Sequence, residues 1–186
     1  MKKTIFALVL AGMAATSVNA ATEGSAIATW KATAKKDTTS NLVVTPLGSI
    51  EFAYAEGIKG FNTVNGLFDV SVKGDAQATD FTLKAKKLSG KLNHLGGGSN
   101  VEVGVLWQGK PVATDTYTTL IDTSAGLNGG NLSPIADGFK GDVTAQGMFS
   151  FLIDSATVGG QSASFDTLPD GLFTGEVNVE FVANWS

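Results

Sequence analysis

The chain of 186 residues contains no cysteine, so no disulfide braces it and its stability rests on packing, sheet hydrogen bonds and association. Arginine is also missing: all thirteen basic residues are lysines, set against seventeen acidic ones. The planar guanidinium fork is what phosphate and base-edge recognition favours, so an acidic chain without it makes no case for binding nucleic acid. Histidine occurs once. His94 has no cysteine to pair with and stands in residues 91–98 beside Gly96, Gly97 and Gly98, which reads as an exposed loop rather than a base or a ligand. No Gly-x-Ser-x-Gly elbow, His-Glu-x-x-His helix or Walker loop is present. Asp166 and Asp170 flank Leu168-Pro169 and read as turn chemistry. Catalytic residues, metal and cofactors are therefore not expected, and the chain does not read as an enzyme.

Long hydrophobic runs are missing as well, with one exception at the start. Residues 1–20 open with Lys2 and Lys3, continue with an apolar run from Ile5 to Met13, and end in Val18-Asn19-Ala20, a small-x-small cleavage pattern. The run is shorter than the roughly 20 residues that a membrane span needs, so residues 1–20 are expected to be a secretory signal. Its removal leaves 166 residues, enough for one domain with a core, and takes the formal charge from −4 to −6.

What is present beyond residue 20 is alternation. Period-two apolar patterns recur, and no helical period of useful length interrupts them, so the expected class is all-β. Residues 41–45 form a short apolar run ended by Pro46. Ile50, Phe52 and Tyr54 alternate over 49–55, and Phe68, Val70 and Val72 over 66–73. Phe81, Leu83 and Ala85 follow over 79–88, then Val101, Val103, Val105 and Trp107 over 100–108. Gln108-Gly109-Lys110-Pro111 reads as a hairpin turn into 113–121, and residues 122–142, rich in Gly, Asn and Ser, as a long irregular connection. Phe149, Phe151 and Ile153 alternate over 147–155. Lys84, Lys86 and Lys87 read as solvated strand positions. About ten short strands with such turns predict a β-sandwich, with Greek-key, immunoglobulin-like topology as the specific form.

The two ends pose the functional question. Near the last residue, Val177, Val179, Phe181, Ala183 and Trp185 fall on every second position and share one face of a strand. An open edge there is expected to need a neighbour from elsewhere in the chain or from another molecule. At the other end, residues 21–34 carry Gly24, Ala26, Ala28 and Trp30 on one parity, mostly small. Small side chains suit a groove already lined by large ones; the alternative is a frayed terminus.

Longer words carry a resemblance. Ala28-Thr29-Trp30, the run from Ala32 to Ser40, residues 42–49 and 54–62, Gly66 to Val70, Gly129 to Pro134, and Thr167-Leu168-Pro169 with the closing strand together resemble the common-pilus (Mat fimbria) pilins of Escherichia coli, within the chaperone–usher group. The resemblance implies an incomplete immunoglobulin-like sandwich completed by donor-strand exchange, with residues 30–186 as the pilin domain and 21–29 as the donor strand. Gly24, Ala26 and Ala28 would face the groove of the next copy, and Val177, Val179, Phe181 and Trp185 would line the acceptor groove and meet the chaperone. The implied partners are identical subunits in a head-to-tail polymer, a periplasmic chaperone, an outer-membrane usher and a tip adhesin, in a surface fimbrium serving host-cell adhesion and biofilm formation. The alternative is a monomeric secreted or periplasmic immunoglobulin-like binding module that uses the loop 122–142.

Overall fold

The computed structural model describes residues 41–186. The expected signal (1–20) and donor strand (21–29, with Gly24, Ala26 and Ala28) lie outside the described residues. In chain order the elements are β1 (Leu42–Leu47), β2 (Tyr54–Ala55), β3 (Gly60–Phe61), β4 (Val64–Val72), β5 (Phe81–Ser89), β6 (Lys91–His94) and β7 (Ser99–Trp107). After these come β8 (Lys110–Pro111), β9 (Thr118–Asp122), the short helix α1 (Ser133–Gly138), β10 (Val143–Val158), β11 (Gln161–Ala163), β12 (Phe173–Gly175) and β13 (Asn178–Trp185).

Each long strand forms where the sequence alternates, because only a period of two puts all its apolar side chains on one side of a sheet. The larger sheet runs β1-β4-β10-β7-β6-β12, with β8 paired to β7 and β11 to β10; the smaller layer runs β13-β5-β9, and β2 pairs with β3 apart from both. All the pairings are antiparallel. The sheets face each other across a core made of Phe68, Val70 and Val72 of β4, Phe81, Leu83 and Ala85 of β5, Val101, Val103 and Val105 of β7, and Phe149, Phe151 and Ile153 of β10. Ring contacts bridge the layers: Phe181 on β13 lies 5.3 Å from Phe68 and 5.8 Å from Phe149, centroid to centroid. Large rings in a thin sandwich need seats, and two glycines supply them. A Cβ on Gly147 would collide with the Phe68 ring, and one on Gly66 would stand 2.6 Å from the Phe151 ring.

The expected hairpin at 108–111 has Gln108 (φ 49°) and Gly109 (φ 79°) as its two central residues, the left-handed pair that suits strand twist. Other places differ from expectation. β1 does not stop at Pro46 but continues to Leu47; a residue without an N–H is tolerated there because β1 is an edge strand. Residues 49–53 are not strand, although Ile50 and Phe52 still pack on the core. The connection 122–142 is not merely irregular. A 3-10 turn at Gly130–Leu132 runs into α1, and Leu132, Ile135, Ala136 and Phe139 are buried, so this segment closes one end of the core. Six helical residues span too few turns to show a period, and Pro134 sits in the first turn, where its missing N–H costs nothing.

Candidate interaction groove

β13 is paired on one side only. Its register on β5 sets Phe181 opposite Ala85, Ala183 opposite Leu83 and Trp185 opposite Phe81, with a bulge between Asn178 and Val179. Its other backbone edge has no strand partner among the described residues. The inward side chains show the consequence. On β5, Phe81, Leu83 and Ala85 are each 0% exposed, whereas Val179, Phe181, Ala183 and Trp185 beside them are only half-buried.

The facing wall is β1. Leu42 and Val44 are half-buried, although their partners on β4, Val72 and Val70, are buried. β1 lies against β13, yet among the described residues each strand pairs only within its own sheet. Between them runs an apolar groove with Phe68, Phe149 and Phe181 in its floor. Its direction can be read from two contacts: Phe181 meets Phe68, whose partner on β1 is Pro46, while Trp185 donates to the Phe139 carbonyl, which also accepts from Asp75 just beyond Val72, the partner of Leu42. The strands are thus antiparallel, with Val179 and Val177 at the mouth near Leu47. Val177 precedes β13, and it is half-buried against the core.

The Trp185 end is pinned. The indole N–H donates to the Phe139 carbonyl at 3.2 Å, and the ring packs edge-on to Phe81 at 5.1 Å. The Ser186 N–H donates to the Asp80 carbonyl, while the N–H groups of Thr79 and Asp80 donate to the Ser186 oxygen at 2.7 and 2.9 Å. The outer face is strapped too. Tyr117 donates its hydroxyl to Glu180 Oε2 at 2.7 Å, and Lys86 Nζ lies 3.5 Å from the same oxygen and 4.5 Å from the Tyr117 ring centroid. The Tyr117 hydroxyl, with Lys86 behind it, holds the Glu180 carboxyl below its ordinary range. With both its end and its outer face tied down, β13 presents a fixed edge.

The structure brings Val177, Val179, Phe181 and Trp185 to the core side of one edge. Sequence reading missed the opposite wall, although a signal existed: Leu42 and Val44 alternate just ahead of a proline that marks an edge. Two other readings are corrected. Lys87 is not solvated; it is 6% exposed and passes over Gly90, where a Cβ would stand 2.8 Å from its Cε, to reach Glu102 Oε1 at 2.6 Å. His94 does not sit in a loop but ends β6. Its Nδ1 accepts from the Gly96 N–H at 3.2 Å, leaving the proton on Nε2 to donate to the Asp170 carbonyl at 3.1 Å, so it fastens β6 to the turn before β12.

The geometry is thus an apolar groove beside a backbone edge that has no strand partner among the described residues. Residues 23–185 match the sequence profile of the family described as Fimbrillin MatB. The chain belongs to this family. Among its relatives, the common pilus major fimbrillin subunit EcpA of Escherichia coli O1:K1 is 47% identical over 194 residues, with 100% of both chains covered. EcpA of Klebsiella pneumoniae strain 342 is 48% identical over 195 residues, again with full coverage of both. The solved CooA pilin subunit from enterotoxigenic E. coli aligns with a TM-score of 0.50 at 18% identity, over 75% of this chain and 86% of that one, a likeness of fold alone. The sandwich is therefore a pilin fold. A fimbrillin is what a fimbria is built from, so this MatB-family chain is a structural subunit of a surface fimbrium.

Proposed function

We propose that the groove between β1 and β13 accepts residues 21–29 of a second copy, so that the chain is the major subunit of a common-pilus fibre polymerised head to tail by donor-strand exchange. The observation that carries this is the contrast within one sheet: β13 is as apolar as β5, yet its inward side chains are half-buried and its outer backbone edge has no strand partner among the described residues. A strand added there would gain main-chain hydrogen bonds, with Gly24, Ala26 and Ala28 set between the large side chains Val177, Val179, Phe181 and Trp185. Completing the burial of half-exposed apolar side chains is worth roughly half of the 1.5–3 kcal/mol available per residue, summed over several of them. Donation of this kind does not close on itself, so it propagates as an open filament.

In this reading a periplasmic chaperone lends the edge a strand during transit, exchange takes place at an outer-membrane usher, and a tip adhesin heads the fibre. The assembled fimbriae serve host-cell adhesion and biofilm formation. No enzymatic step enters. Deleting residues 21–28 is the test: surface fibres and the ladders seen on gels without boiling should vanish while the subunit is still made, and normal fibres from the truncated chain would sink the reading. Trp185→Asp should abolish capture by the chaperone; a variant polymerised at wild-type level would count against the assignment of that residue.

A further inference from the structure

The outer face of the larger sheet carries an apolar feature that groove and core leave unused. Leu47, Leu67 and Met148 are direct cross-strand neighbours on β1, β4 and β10, and they form an unbroken row of side chains 39%, 42% and 38% exposed. Half-buried Leu152, and Leu106 paired to Ser150, continue it obliquely on the same face. Polar rows whose bonds are already satisfied flank it: Gln146 donates to Asp69 at 3.2 Å on one side, and Ser150 to Asn65 at 2.9 Å on the other. An exposed apolar strip with a satisfied polar rim is the signature of an interaction surface.

We propose that this row seats the globular body of the strand-donating copy, making a second contact at each fibre joint; the proposal rests on the strand-donation reading. Three observations select that occupant. The row is continuous with the groove, because Leu47 is the last residue of β1, the groove's own wall, at the Val177 mouth. All the pairings of the fold are antiparallel, and a donor added antiparallel to β13 runs from the Trp185 end toward that mouth, so its chain emerges beside Leu47. Between the donor's residue 29 and the start of its own β1 at Leu42 stand twelve residues, which reach at most about 40 Å even when fully extended. That is about the width of a domain of this size, so the donating body is tethered within one domain width of the end of the acceptor where the row is exposed.

The absence of cysteine permits a clean test. Fibres are assembled from full-length chain carrying Leu67→Cys, or Val182→Cys as a control of equal exposure (40%) on the opposite outer face, and labelled with a maleimide. The thiol at 67 should react about tenfold or more slowly than the one at 182, as expected for the dry centre of a contact. Equal labelling overturns the proposal, and so does protection at 67 that appears only when fibres bundle, since the row would then join fibres rather than subunits. Unboiled gel ladders from the same samples report strand donation separately: ladders with equal labelling sink this contact alone, and loss of ladders from unsubstituted fibres sinks the donation reading. As a second variant, Leu67→Asp lies on an exposed outer position and should keep the ladders while changing the subunit spacing or flexibility of fibres in electron micrographs. Unchanged fibre geometry would also count against the contact.

Discussion

β5 and β13 are neighbours in one sheet, carry the same alternation and face the same core, yet one is fully buried on its inward side and the other is not. Among the described residues, β5 has β13 on one side and β9 on the other, whereas β13 has β5 alone. Alternation specifies which side chains point inward; a flanking strand on each side decides whether water is kept from them. A strand with core-grade side chains and an unfilled flank is in effect half of an interface.

The contrast can be broken most directly by truncating one ring in each strand. Phe81→Ala on β5 should destabilise the unassembled subunit by about 3–5 kcal/mol, read from urea unfolding. Phe181→Ala on β13 should cost roughly half of that in the unassembled subunit, and more in the fibre, where the temperature at which ladders dissolve should fall. Equal costs in the unassembled subunit would erase the distinction between the strands. The floor they share is sharpened by Gly147→Ala, which drives a methyl into the Phe68 ring and should cost about 1–3 kcal/mol by overpacking, measured as a lowered unfolding midpoint.

The far end of β5 offers a further comparison, because its last inward residue is a lysine. Glu102→Gln leaves Lys87 buried without its carboxylate and should cost about 1–3 kcal/mol in thermal unfolding, while Lys87→Met, which removes the charge, should cost less. If the two variants are equally destabilised, the ion pair is not what permits a lysine to be buried there. The smallest effect concerns the strap on β13. Because the Glu180 carboxyl is held below its ordinary range by Tyr117 and Lys86, its contribution is present above the pKa of the unfolded carboxyl, about 4.3, and is lost as the pH falls through the folded value. Acid unfolding profiles should show this small loss in the native chain and a smaller one in Tyr117→Phe, which keeps Lys86.

Much of this was legible before folding. Phe68, Val70 and Val72, Phe81, Leu83 and Ala85, and Val101 to Trp107 announce their strands because a pleated backbone allows only a period of two, and Gln108-Gly109 announces its hairpin because the turn needs left-handed backbone. The row from Val177 to Trp185 was visible for the same reason. α1 was not, since six residues show no period, and the burial of Lys87 was not, since a charge reads as surface until a glycine and a carboxylate from other strands surround it. Period-two patterning was enough to settle the class of the fold, the inward face of each long strand and the apolar character of the last one. It took the folded arrangement to make β1 the opposite wall, to leave β13 with one strand neighbour among the described residues and to align Leu47, Leu67 and Met148 in a row. Side-chain direction is local to a strand, whereas strand order and the state of an edge depend on which distant segments come to lie beside it.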